Sequence, residues 1–191
     1  MKVNEVFEGI QGEGRYVGHP VLFVRVSNCN LNCSFCDTEF ITGRIYSVED
    51  LTKEINRSKM DTVVWTGGEP TLQLDEIVEV VDRTPMEHHH LESNGYRLDS
   101  KLNAFSYLCF SPKNLKDARR IKEFGEGDIK IVTDLELNKE LIPYATMLMP
   151  LSTFTQRDLE IERNVWNYCI KNNIRYSPRI HVNLWGNDRG K

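Results

Sequence analysis

The sequence predicts an α/β protein whose parallel sheet forms an incomplete, open β/α barrel. Three observations predict it. Apolar runs of strand length alternate with helical patterns along the chain. Strand–helix–strand units of that kind make right-handed parallel crossovers. The 191 residues fall short of the roughly 250 that a closed eight-fold barrel usually takes. Apolar residues at 40% and charged residues at 27% form an ordinary globular balance, enough to bury a core, and the length suits a single domain over 1–191.

The elements follow in order. Residues 21–26 (VLFVRV) read as a strand. Residues 47–56 read as a helix, with Ser47 as N-cap, Asp50 three residues on, and Val48, Leu51 and Ile55 on one face. A strand over 62–65 precedes a helix over 75–83 that turns Ile77, Val80 and Val81 inward. Strands are expected at 88–91 and 107–110, a helix at 115–124, and further strands at 129–132 and 145–149. Thr155 opens the last helix, with Asp158 completing a second capping box and Ile161, Val165 and Cys169 forming its buried stripe.

Charge and composition exclude several functions. The net charge is -4 and no block of five or more like charges occurs, so a nucleic-acid partner is not expected. No apolar run approaches the roughly 18 residues of a membrane span. The opening Met1-Lys2-Val3-Asn4-Glu5 lacks a leader's apolar stretch, so a cytoplasmic protein with reduced thiols is expected. Five cysteines, three of them between 29 and 36, suit a metal site better than a disulfide framework.

Those three stand as Cys29-x-x-x-Cys33-x-x-Cys36, just after the first strand. Three thiolates can ligate three irons of a 4Fe–4S cube and leave the fourth without a protein ligand. Polar Asn30, Asn32 and Ser34 make the segment a poor core. A zinc site would need a fourth ligand from a distance, such as Cys109, Cys169 or a histidine. The second strand ends in Thr66-Gly67-Gly68-Glu69-Pro70, where two residues without Cβ let backbone approach a ligand and Glu69 adds a carboxylate suited to an ammonium group. Glu92-Ser93-Asn94-Gly95 and Ser111-Pro112-Lys113 follow the next strands, and each reads equally as a simple turn.

The cysteine spacing, paired with the Gly-Gly-Glu strand end about 30 residues on, resembles the radical S-adenosylmethionine (SAM) superfamily. The resemblance implies a 4Fe–4S cluster on Cys29, Cys33 and Cys36. It also implies SAM held by Phe35, Asp37, Gly67, Gly68, Glu69, Ser93, Ser111, Pro112 and Lys113. In that superfamily an electron from the cluster breaks the sulfonium bond, and the deoxyadenosyl radical released abstracts hydrogen.

A narrower set spans nearly the whole chain: Glu5-Val6-Phe7-Glu8-Gly9-Ile10-Gln11-Gly12-Glu13-Gly14, Arg25, Asp37-Thr38, and Pro178-Arg179-Ile180-His181-Val182-Asn183-Leu184-Trp185-Gly186-Asn187-Asp188. It is similar to the 7-carboxy-7-deazaguanine synthases. These carbon–nitrogen lyases contract 6-carboxy-5,6,7,8-tetrahydropterin to a 7-deazapurine with loss of ammonia, on the route to queuosine. The resemblance implies a substrate loop over about 5–19 and a substrate-covering tail over about 175–191. Substrate contacts are implied at Ile10, Gln11, Gly12, Glu13, Arg25, Thr66, His181 and Lys191, and Mg²⁺ at Thr38. A flavodoxin or ferredoxin reductant and a homodimer follow from the same likeness. The residue types suit a flat, carboxylated ring rich in donors and acceptors: Gln11 and Glu13 to read its edge, and Arg25 to fork its carboxylate.

Blander readings stand beside these. Gln11 to Gly14 reads also as a surface turn, Arg25 as a strand arginine paired with an acid, Thr38 as a helix cap, and His181 as a core residue. His88-His89-His90 alternate across a strand, which opposes a shared metal. Asp128 and Lys130 alternate on a strand and are read as facing the barrel interior near the cofactor. Met149-Pro150-Leu151-Ser152 lacks the glutamine or aspartate common in relatives and is assigned no contact. Cys109 and Cys169 are expected in the core. Two other functions remain open: an activase of glycyl-radical enzymes, which would need a peptide groove, and a non-enzymatic iron–sulfur or zinc module.

Overall fold

The computed structural model describes residues 1–33, 36, 41–186, 188 and 190. They cluster into two compact units. The first is built from Met1–Gly9 and Pro20–Leu108, the second from Ile10–His19 and Cys109–Arg189.

In the first unit the strands are β1 (Lys2–Ile10), β2 (Pro20–Val26), β3 (Arg44–Ile45), β4 (Thr62–Gly67) and β5 (His88–Ser93), in the order β3-β1-β2-β4-β5. β2, β4 and β5 are parallel, while β3 runs antiparallel to β1. Val21 to Val24 on β2 and Thr62 to Trp65 on β4 are buried residue after residue, the pattern of strands covered on both faces. Helix α1 (Val48–Ile55) starts where expected. Ser47 Oγ accepts from Asp50 N–H at 3.0 Å, satisfying one of the first-turn donors, and Leu51 and Ile55, one turn apart, are buried. Helix α2 (Leu74–Arg83) buries Leu74, Ile77 and Val80, whereas Val81 is only half-buried.

The chain passes into the second unit within β6 (Tyr107–Phe110). There β7 (Asp128–Thr133), β8 (Met147–Pro150) and β9 (Arg175–Tyr176) continue parallel from β6. Helix α3 (Leu115–Phe124) is capped by Asn114, whose side chain accepts from Asp117 N–H at 2.9 Å. It ends at Gly125 with φ +80°, the left-handed residue a helix C-terminus favours.

Two features differ from the sequence reading. The segment 5–19 opens as strand, since β1 runs to Ile10; most residues of β1 are partly buried, so no two-residue period shows. Helix α4 (Asp158–Asn172) begins three residues after Thr155. Asp158 reaches back instead, accepting from the N–H groups of Thr153 and Phe154 at 2.9 Å each. Its stripe of Ile161, Val165 and Cys169 is buried as expected. The tail contains a short helix, α5 (Ile180–Trp185). No described helix is long and apolar enough to cross a membrane.

Candidate active site

In the first unit, parallel register sets Arg25 opposite Thr66 and Val26 opposite Gly67, so the cysteine segment leaves β2 beside the Gly-Gly-Glu turn. Two hydrogen bonds fix the junction: Gly68 N–H donates to the Val26 carbonyl at 2.9 Å and Glu69 N–H to that of Asn28 at 2.8 Å. Gly67 has φ +115°, and a Cβ there would overlap backbone atoms of Val26. Only glycine fits. Asn28 takes the left-handed conformation at φ 71°, which asparagine tolerates better than most residues and which turns the chain out of β2.

Cys29 and Cys33 are half-buried and Cys36 is exposed; Cys36 N–H donates to the Cys33 carbonyl at 3.1 Å. Burial pushes the Cys29 thiol up, and the negative charges of Glu69, Cys33 and Cys36 add to it against a hydrogen bond from Leu31 N–H. Three thiols gathered within eight residues are a donor set that a cationic iron–sulfur cluster suits, each thiolate taking its own iron. The residues therefore fit the group. Among the described residues no three Cys, His, Asp or Glu side chains form a single-ion site; a cube differs in taking each thiolate on its own iron.

Glu69 is fully buried. Its Oε1 accepts from Thr71 N–H at 2.9 Å, Thr71 Oγ1 at 2.6 Å and Ser93 Oγ at 2.7 Å, and its Oε2 from Asn94 N–H at 2.7 Å. Ser93 thus serves Glu69 first. Asn94 Nδ2 donates to Asn30 Oδ1 at 2.9 Å, tying the end of β5 to the cysteine segment. No sequence signal distinguished Asn94 from an ordinary turn residue.

Arg25 is paired with an acid on β1. Its Nε stands 3.3 Å from Glu5 Oε2, and its guanidinium lies over the rings of Phe7 and Phe23 at 5.4 and 6.0 Å. The structure thus shows the strand arginine with an acid partner. The histidine run divides as strand alternation requires: His88 and His90 share a face, while Trp65 Nε1 donates to His89 Nδ1 at 3.1 Å. His89 Nε2, carrying the proton, lies 3.0 Å from Thr84 Oγ1. Burial lowers the His89 pKa from 6.5 to about 4, so it is a neutral core residue.

In the second unit, Gln11 N–H donates to the His19 carbonyl and Gly18 N–H to that of Gln11, both at 2.8 Å, closing the loop 11–19. Ile180 N–H donates to the Gly12 carbonyl at 3.1 Å and Gly14 N–H to Ser177 Oγ at 2.8 Å. Gln11 is buried, and its Oε1 accepts from Glu13 N–H at 3.2 Å. The Glu13 carboxylate meets Lys130 Nζ at 2.6 Å, Arg179 Nε at 3.2 Å and His181 Nε2 at 3.7 Å. Burial pushes the Glu13 carboxyl up, but Lys130, Arg179 and His181 outweigh it and hold it well below the usual carboxylate range. The structure thus brings Gln11, Gly12, Glu13 and His181 together. It adds Arg179, which the tail motif contains but which was given no role, and it pairs Lys130, read from sequence only as facing inward with Asp128, with Glu13.

Asp128, the other charge on β7, accepts from Arg15 at 2.8 Å and stands 3.3 Å from Arg175. Lys113 Nζ donates to Ser111 Oγ at 2.7 Å and to the Ser111 carbonyl at 2.8 Å, while Pro112 is buried. Ile10 is 44% exposed at the end of β1. Phe35, Asp37, Thr38 and Lys191 lie outside the described residues.

This cysteine segment and this strand-end turn define a radical SAM enzyme, and the model of the Radical SAM superfamily matches residues 23–141. The 7-carboxy-7-deazaguanine synthase of Hyperthermus butylicus is 41% identical, over 95% of this chain and 92% of its own. That of Bacteroides thetaiotaomicron is 40% identical over 98 residues, 50% of this chain and 53% of its own length. The chain belongs to the 7-carboxy-7-deazaguanine synthase family. The crystal structure of QueE from Escherichia coli shares the fold, with TM-score 0.71, 24% identity and 92% of each chain covered.

Proposed function

We propose that this chain converts 6-carboxy-5,6,7,8-tetrahydropterin to 7-carboxy-7-deazaguanine with loss of ammonia, for queuosine and related 7-deazapurines. The carrying observation is the Gln11–Glu13 loop: a buried amide and an ionised carboxylate, each held by named partners. Fixed acceptors of that kind suit the N–H-rich edge of a pterin. A glycyl-radical activase has no evident use for them. When bound, the 4Fe–4S cluster and SAM supply the one-electron chemistry that removes a hydrogen atom from the substrate. Cys29, Cys33 and Cys36 hold the cluster, and Gly67 to Glu69 with Ser93 present backbone and carboxylate to the SAM amino group. Ser111, Pro112 and Lys113 belong to the same binding role.

For substrate, Gln11 and Glu13 orient the ring through hydrogen bonds and Gly12 lets His181 lie against the loop. His181 offers a proton-transfer group. Ile10, Arg25, Thr66 and Lys191 complete the proposed contacts, with Arg25 exchanging Glu5 for the substrate carboxylate. Mg²⁺ on Thr38, a flavodoxin or ferredoxin reductant, a homodimer and a cytoplasmic setting form part of the same reading. The test is turnover. Anaerobically reconstituted, dithionite-reduced protein is incubated with the carboxylated tetrahydropterin and SAM, with and without Mg²⁺. A new product with the mass of the deazapurine, formed faster with Mg²⁺, is expected. Deoxyadenosine released without that product would overturn the assignment, and no cleavage of SAM at all would favour a non-enzymatic module.

A further inference from the structure

We infer that Lys130 is a positioning residue for substrate recognition, fixing through its ammonium the orientation in which the Glu13 carboxylate meets the ring. This rests on the reading above that Glu13 binds the pterin. Lys130 projects from β7 between Ile129 and Ile131, and its side chain is 4% exposed. A buried ammonium is tolerated only when paired, and here Oε2 of Glu13 stands 2.6 Å from it. Oε1 of the same carboxylate is held from another element by Arg179 Nε at 3.2 Å, with that side chain 9% exposed.

The consequence is geometric. A carboxylate rotates freely about its last torsion unless both oxygens are engaged, and it offers about four lone-pair directions. With Lys130 on one oxygen and Arg179 on the other, the plane of the group is set and the remaining lone pairs point in fixed directions. Glu13 lies in a loop, where side chains are otherwise less constrained than on strands; Lys130 gives it the rigidity of β7. Lys130 is not assigned contact with substrate. Its influence passes through Glu13.

The experiment uses the reconstituted holoenzyme and separates KM from kcat for the carboxylated tetrahydropterin. Lys130→Met is expected to raise KM by about 10- to 100-fold while kcat stays within about threefold, the signature of lost ground-state binding. In a Glu13→Gln background the same substitution is expected to add less than about threefold, because neighbours acting through one group do not add. A KM for Lys130→Met within about twofold of the wild type overturns the inference. So does a full effect that persists in the Glu13→Gln background. A purely structural role would lower the melting temperature and leave KM in place. Should Lys130→Met fail to fold, Lys130→Gln carries the same expectations. No product from the wild-type enzyme overturns the pterin reading and this role with it; product from the wild type with an unaffected Lys130 variant overturns the role alone.

Discussion

Glu69 has a structural duty whose size can be worked out. In Glu69→Ala the backbone N–H groups of Thr71 and Asn94 lose their acceptors, whereas the hydroxyls of Thr71 and Ser93 can rotate to other partners. Each stranded buried donor costs about 1–3 kcal/mol, so the pair costs about 4 kcal/mol. For a chain of this length 1 kcal/mol moves the melting temperature by about 2–4 °C, which places the variant about 8–16 °C below wild type. Glu69→Gln keeps one oxygen and turns an amide N–H₂ against one of the former donors. Its loss is about 2 kcal/mol, or about 4–8 °C. The assay is scanning calorimetry of the cluster-free protein, because a bound ligand would shift the transition by mass action. A Glu69→Ala melting point within about 2 °C of wild type would show that the hydrogen-bonded hub does not hold the strand ends together.

Gly67→Ala forces a Cβ into the Val26 backbone at φ +115°; it should cost more than about 2 kcal/mol and lower the iron retained after reconstitution, and full iron content would contradict the close approach of β2 and β4. Gly12→Ala brings a Cβ against the His181 ring, a side chain that can turn aside, so KM should rise by about tenfold with a melting shift under about 3 °C; an unchanged KM would remove the ring from the substrate's surroundings. His89 is neutral in the fold, with its pKa lowered from 6.5 to about 4. Between those values the unfolded chain binds more protons than the folded one, so stability falls as pH drops through the window and levels off below it. Over the gap of about 2.5 pH units the loss is about 3 kcal/mol at about 1.4 kcal/mol per unit. Denaturant titrations of wild type and His89→Gln from pH 7 to 4 should show the variant losing less; equal slopes would place the His89 titration elsewhere.

Much of the fold was legible because period and punctuation agreed. The strand at 107–110 and the helix at 115–124 stand where the sequence predicts them, the latter bounded by Asn114 and Gly125. β1 was not legible, because Lys2 to Ile10 breaks alternation at Asn4-Glu5 and Val6-Phe7 and lacks the continuous apolar run of β2 and β4. The start of α4 was misjudged since Thr155 and Asp158 match a capping box, while in the fold Asp158 caps the preceding turn through Thr153 and Phe154.

The sequence by itself determined the chemistry: three thiols at fixed spacing, a glycine pair at a strand end, and the Gln-Gly-Glu-Gly loop are local facts, readable because ligand type and spacing reside in adjacent residues. Only the tertiary structure decided which groups charge and constrain one another. Lys130 and Glu13 lie 117 residues apart in the chain and 2.6 Å apart in space, and Glu69 gathers donors from a turn and from the end of β5. Such partners depend on strand register and loop closure, which fix distances that no sequence window contains.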